Sequence, residues 1–461
     1  MSGAATLNRL PLLDRRRSGV LLHPTALLQQ DGAGALGGAA LRFVDWLAEA
    51  GFGVWQVLPL GPTGRDGSPY WTRSDQAGNA VLVDPQREPP GGPDAFEQWC
   101  ATQQHWLDDH VLFEALAQAH EGAPWWQWPA ALRDREPAAL AQARQALSER
   151  LRQLRRVQWQ FDHQWSLLRA HAHERGVRLL GDLPIYVAPD SVSTWAQRDQ
   201  FQLDALGQPT EVAGVPPDYF SEDGQLWGNP LYDWSRMQAD GFVFWRRRLA
   251  GLLSRYDLLR IDHFRGLAAY WAVPWGALTA RDGRWRDAPG EALLQAVRDE
   301  LGDLPLVAED LGVITPDVDA LRRAFGLPGM RVLQFAFGGG ADNPHLPHNH
   351  SVDLLAYSGT HDNDTTVGWA ATLPAAARDH ACRYLGCGEG DLASAVQRAA
   401  LASVATLAVL PLQDVLGLGS AARFNTPGTV AGNWQWRLDL ALLTPELAAR
   451  YRVLNQLYGR C

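Results

Sequence analysis

Four acidic side chains stand where apolar runs end. Asp262 follows Leu259-Arg260-Ile261 in YDLLRIDHFRG, Glu309 follows Val307-Ala308 in LPLVAEDLG, Asp182 closes RLLGD, and His361 with Asp362 lies just beyond the run in LLAYSGTHDNDT. A single acid after a strand is often only a cap for the next helix. Several gathered in one mouth raise one another's pKa and weaken the fold unless the arrangement is used. Carboxyl groups facing across a cleft suit glycosidic bond chemistry. One attacks the anomeric carbon, another protonates the departing oxygen, and further groups stabilise an oxocarbenium-like transition state. Two rival chemistries fit less well. His361, Asp362 and Asp364 could ligate a divalent ion, but the segment holds one His, and no HExxH, Cys/His cluster or DxDxDG loop accompanies it. A Ser-His-Asp hydrolase wants a GxSxG elbow, and Ser191 and Ser193 sit in a loop without one. Neither a metal nor a cofactor is expected.

Groups at run ends have to be positioned by the runs. Eight short stretches rich in Val, Leu and Ile read as buried parallel strands: 53–58, 81–83, 177–181, 258–261, 304–308, 332–335, 352–357 and 406–410. Helical patterns separate most of them, and no GxGxxG follows the first. The pattern therefore predicts a closed (β/α)₈ TIM barrel, whose functional groups sit at the C-terminal ends of its strands, in preference to an open doubly wound sheet. The whole chain, 1–461, reads as one catalytic barrel domain carrying two insertions. Residues 84–175 open with the Pro/Gly-rich DPQREPPGGPD and turn to Ala, Leu, Gln and Arg with a helical period, which predicts a mainly helical insertion. Residues 188–235 hold VAGVPPDYFSEDGQLWGNPLY, read as a shaped loop covering the site. The cluster Arg246, Arg247, Arg248 and the pair His171/His173 lie in helical sequence and read as solvated faces.

Composition bounds the partners. Forty-one Lys and Arg against 51 Asp and Glu give a formal charge of −10, which repels phosphate backbones and anionic membrane surfaces. No nucleic-acid or membrane partner is expected. Four sparse cysteines without a CxxC pair, and no apolar signal core or spanning stretch, point to a cytoplasmic protein. The 20 Trp residues suit both large cores and the stacking of sugar rings.

The motifs carry a specific resemblance. SGVLLHPTALL, WQVLPLGPTG with SPY, GDLPIYVAPDS, VAGVPPDYFSEDGQLWGNPLY, RIDHFRGL, VAEDLGVITPDV, PGMRVLQFAF, SGTHDNDTTVGW, and QDVLGLGSAARFNTPGT with NWQWR run through nearly the whole chain. Together they resemble the amylomaltases, the 4-α-glucanotransferase family (glycoside hydrolase family 77) of the α-amylase clan. The resemblance implies transfer of α-1,4-glucan segments between maltooligosaccharides, with retention, through a covalent glycosyl enzyme. Asp262 would be the nucleophile, Glu309 the general acid/base and Asp362 the third carboxylate. Arg260 would keep the nucleophile ionised, and Asp182, His361 and His263 would hydrogen-bond the sugar where the bond breaks. Tyr70, Tyr219, Phe220 and Trp227 would supply stacking surfaces and a lid.

The substrates implied are small and polymeric α-1,4-glucans, with the chain working as a monomer or homodimer. A glucan hydrolase using the same acids is the nearest alternative, and a non-catalytic glucan-binding or regulatory protein is an alternative of another class. The pattern departs from the family in three places, one of them WTRSDQAGNAVLVDP, which replaces a more aromatic stretch. After the second strand only about twenty residues separate Asp84 from Trp106, where relatives carry a longer insertion used for extended glucan binding. Phe424 also stands where Met is common in the RxNTPG motif.

Overall fold

The computed structural model describes residues 11–28, 34–64, 66–217, 221–429 and 431–461. Its centre is a sheet of eight parallel strands in the order β10-β11-β12-β1-β2-β3-β6-β9. These are β1 (Arg17–Leu21), β2 (Val54–Gln56), β3 (Arg178–Leu183), β6 (Leu258–Ile261), β9 (Leu306–Ala308), β10 (Gly329–Val332), β11 (Leu354–Tyr357) and β12 (Leu407–Pro411). The two ends of this order meet. The Ala308 N–H donates to the Pro328 carbonyl at 2.9 Å, and the Met330 N–H donates to Asp310 Oδ1 at 2.6 Å. Gly329 makes that closure possible, because a Cβ there would lie 2.4 Å from Asp310 Oδ2. The result is the expected (β/α)₈ barrel, with strands buried on both faces as parallel strands between helices must be.

Two of the predicted strands need correction. Val81–Val83 is not a strand: Ala80–Leu82 is a turn of 3₁₀ helix, capped by Asn79, whose side chain accepts from the Val81 N–H. Val81 is 54% exposed, so its β-branched neighbourhood misled. The missing eighth strand is β1, which precedes all the predicted ones and contains Gly19. That glycine admits its neighbour, since a Cβ would meet Val54 Cβ and O at 2.9 Å. The run 332–335 also shifts: the strand ends at Val332, and Leu333–Phe335 is a 3₁₀ turn.

The segment 84–175 holds helices Gly92–Ala119, Ala130–Arg133, Pro137–Ala146 and Ser148–Glu174. Leu112, Phe113, Leu116, Trp125, Trp128 and Trp195 build a second apolar core among them, separate from the barrel's. The helix Ser148–Glu174 spans both, because Leu151 belongs to the second core while Phe161, Trp165 and Leu168 belong to the first. Within 188–235 the chain is more regular than a loop. Strands β4 (Glu211–Val215) and β5 (Gln225–Pro230) pair antiparallel, and β4 continues to β7 (Ala269–Pro274) and β8 (Arg284–Asp287) in a four-stranded sheet.

The basic cluster also needs correction. Arg248 is only 2% exposed. It donates to the carbonyls of Pro184 (2.6 Å) and Ile185 (3.0 Å) and to Tyr232 Oη (3.0 Å), and pairs with Asp75 at 2.9 Å. His171 and His173 face Asp45 and Asp257, each at 2.9 Å, and so tie their helix to neighbours instead of facing bare solvent.

Candidate active site

Strand alternation decides which acids reach the mouth. Arg260, within β6, points into the barrel and is 4% exposed. Its Nη1 donates to both oxygens of Asp182 (2.8 and 2.7 Å), and its Nη2 donates to Asp262 Oδ1 (2.8 Å). Asp262 is the residue after β6, held by its N–H to the Leu183 carbonyl at 2.9 Å. Its side chain is 30% exposed, against 0% for Asp182. Asp182 therefore sits behind the mouth with both oxygens engaged, since Tyr70 Oη donates to Oδ2 at 2.6 Å. In this geometry it orients Arg260 and Tyr70 and presents no spare oxygen to a sugar.

Glu309 follows β9, and its carboxyl is anchored at both oxygens. The His263 N–H donates to Oε2 at 2.7 Å and the Leu311 N–H to Oε1 at 3.1 Å. His263 lies in the left-handed region at φ 49°, which turns the chain so that the residue after Asp262 grips Glu309. Burial pushes the Glu309 carboxyl up to about 8, with the Asp262 charge adding to the rise and Arg260 opposing it. The neighbouring acid behaves differently: Asp310 faces away from the mouth and ties β9 to β10. Burial lowers His263 to about 4, so its ring is neutral near pH 7 and packs edge-on against Trp227 at 4.7 Å.

Opposite, the segment after β11 brings His361 and Asp362. Tyr70 stacks on His361 at 5.1 Å and 17°, and Trp434 leans on both rings. His361 Nε2 lies 3.3 Å from Asp362 Oδ1. Asn425 Nδ2 donates to that same oxygen at 2.6 Å, and Arg423 Nη2 donates to the Asp362 carbonyl, also at 2.6 Å. Asp364 turns elsewhere, accepting from Ser420 Oγ at 2.7 Å.

Asp262, Glu309, Asp362, Tyr70, Asp182, Trp227, Arg260, His263 and His361 thus form one continuous set of contacts at the C-terminal mouth of the barrel. Tyr219 and Phe220 lie outside the described residues. Sequence reasoning missed Arg423, Asn425 and Trp434 as participants. Their only signal was membership of the RFNTPG and NWQWR motifs, because their partners are some sixty residues or more away in the chain.

Comparison with known proteins bears on what such a mouth does. The family model for 4-alpha-glucanotransferase matches residues 22–89 and 86–443 of this chain. The chain belongs to the 4-α-glucanotransferase family. The 4-alpha-glucanotransferase of Thermus thermophilus is 46% identical over an alignment covering 96% of this chain and 98% of that protein. That of Synechocystis sp. is 44% identical over 97% and 99%. Among solved structures, the amylomaltase from Streptococcus agalactiae in complex with acarbose superposes with a TM-score of 0.92 at 34% identity, covering 97% of this chain and all of that one. The two stretches matched by the 4-α-glucanotransferase model meet at 86–89, inside the segment that the sequence marks as shortened.

Proposed function

We propose that this 4-α-glucanotransferase moves α-1,4-glucan segments between maltooligosaccharides by double displacement on Asp262 and Glu309. One observation carries the assignment: two carboxyls at neighbouring strand ends are gripped by different partners. Asp262, whose side chain is 30% exposed at the mouth, accepts from the Arg260 guanidinium at 2.8 Å, which holds it in place for attack on a bound sugar. Glu309 is pushed up to about 8 and so carries a proton at neutral pH, as a general acid must.

In the first step Asp262 Oδ2, the oxygen free of Arg260, attacks the anomeric carbon. The bond from that carbon to the bridging oxygen breaks, and the Glu309 proton passes to the departing 4-oxygen. In the second step Glu309, now ionised, takes the proton of an incoming 4-hydroxyl, whose oxygen displaces Asp262 and restores the α-linkage. Asp362, with Asn425 beside it, stabilises charge on the ring that passes between the two carboxyls. Inversion at each step gives net retention.

Acceptor choice separates transfer from hydrolysis. Trp227 on β5 offers a sugar-stacking face that favours a glucan hydroxyl over water, a role the sequence motif extends to Tyr219 and Phe220. Trp227→Ala should raise glucose release relative to transfer on the order of several-fold, read from the same product profile. The broader setting belongs to the same proposal: a cytoplasmic enzyme of starch or glycogen metabolism, acting as a monomer or homodimer without a cofactor.

Maltotriose tests the reading directly. Wild type should yield glucose together with a ladder of longer oligomers, and Asp262→Asn should abolish the ladder while maltotriose still binds. Products that never exceed the starting length would instead mean hydrolysis.

A further inference from the structure

We propose that Arg423 is a positioning residue that sets the third carboxylate, Asp362, in the site; this rests on the role given to Asp362 above. The turn from Thr360 to Asn363 braces the loop, with Asn363 Oδ1 accepting from the Thr360 N–H and Oγ1 at 2.9 Å each, but these bonds do not reach Asp362. Asp362 stands five residues beyond the end of β11, and its side chain is 46% exposed. Its own N–H makes one long bond, to Thr360 Oγ1 at 3.3 Å. Between the strand ends and the loop that carries it, a cavity of about 20 Å³ is lined by His23, Thr360, His361, Asp364 and Phe424. That is room for a single water.

The restraint comes from across the mouth. Arg423 lies beyond β12, 61 residues further along the chain, and lines the same cavity. Its Nη2 donates to the Asp362 carbonyl at 2.6 Å, and its Nε donates to the Asn425 carbonyl at 2.7 Å. Asn425 in turn donates from Nδ2 to Asp362 Oδ1 at 2.6 Å. One guanidinium therefore fixes the backbone of the carboxylate's residue and the backbone of the residue that grips the carboxylate. Two donors in a rigid plane are what this bridge requires. A lysine ammonium is a single point on a flexible stem and cannot hold both carbonyls in register. Arg423 acts through Asp362 and need not touch the sugar.

A double-mutant cycle on the full chain tests this, with kcat and KM for maltotriose measured for wild type, Arg423→Lys, Asp362→Asn and the pair. Arg423→Lys should lower kcat roughly 10- to 100-fold with KM within about threefold, because the misplaced carboxylate matters most in the transition state. In the Asp362→Asn background the same change should cost less than about twofold. Thermal unfolding of each variant separates this from loss of fold. If Arg423→Lys does not fold, Arg423→Gln, which keeps one donor, carries the cycle with the same expectation. Effects of Arg423 and Asp362 that multiply independently, or a rise in KM with kcat unchanged, would overturn the inference while leaving the transferase reading intact. A wild-type chain that makes no ladder overturns that reading first, and the role of Arg423 with it.

Discussion

At the scale of single residues, the general-acid role proposed for Glu309 fixes how activity should depend on pH. Its carboxyl is raised from an ordinary value near 4.5 to about 8, so the proton it must donate is present below that pH and lost above it. The value of kcat/KM, which reports the free enzyme, should hold through neutrality and fall as pH rises through about 8. Glu309→Gln should lower kcat/KM by roughly 10²- to 10⁴-fold and remove that alkaline limb, since an amide has no proton to titrate there. Initial rates on maltotriose between pH 5 and 10 check both; a limb that survives in the Gln variant would mean another group titrates.

Much of this site was legible because acids at strand ends have one shared destination in a barrel. Asp182 was legible as a position but not as a role: sequence cannot show that Arg260 and Tyr70 occupy both of its oxygens. Arg423 and Asn425 were invisible as supports, because nothing local to them implies a bond to Asp362.

At the scale of elements, the site depends on segments that have no regular structure of their own. The stretch Pro184–Tyr186 leaves β3 beside Asp182 and is held by the buried Arg248, reaching out from the helix Val243–Leu253. That helix reads as amphipathic with a basic surface, and Arg246 fits such a surface, being ion-paired with Glu300 at 2.8 Å in a half-buried contact. Arg248 does not, because the carbonyls it satisfies come from a turn some sixty residues earlier. Replacing it leaves Asp75, whose side chain is 6% exposed, buried without its partner. Arg248→Met should therefore destabilise the fold by about 3–5 kcal/mol, measured as a lowered urea midpoint. A loss below about 1 kcal/mol would mean that the segment is held elsewhere. The misread strands have the same origin. Val81 carries a β-branched side chain but is 54% exposed, and the need for Gly19 is plain only once its strand is paired with that of Val54.

At the scale of the whole molecule, the shortened front bears on which substrates the barrel serves. The alignment with the Thermus thermophilus relative runs over 491 residues, more than the 461 of this chain, so this chain carries the gaps. The 84–91 stretch passes directly into the helix Gly92–Ala119, whose apolar face builds the second core instead of lining the mouth. Under the proposed function a glucan in the cleft would meet Tyr70, Trp227 and Trp434 near the scissile bond but would lack the outlying surface that a longer insertion supplies. Binding energy gathered far from the reacting bond lowers the barrier only where there is surface to collect it. The value of kcat/KM should thus rise from maltotriose over the first few added glucose units and then level off, with amylose no better per chain than maltoheptaose, within about twofold. Initial rates across a series of purified oligomers and amylose of known length measure this. A continued rise of tenfold or more from heptaose to amylose would require a remote glucan site on some other face of the barrel.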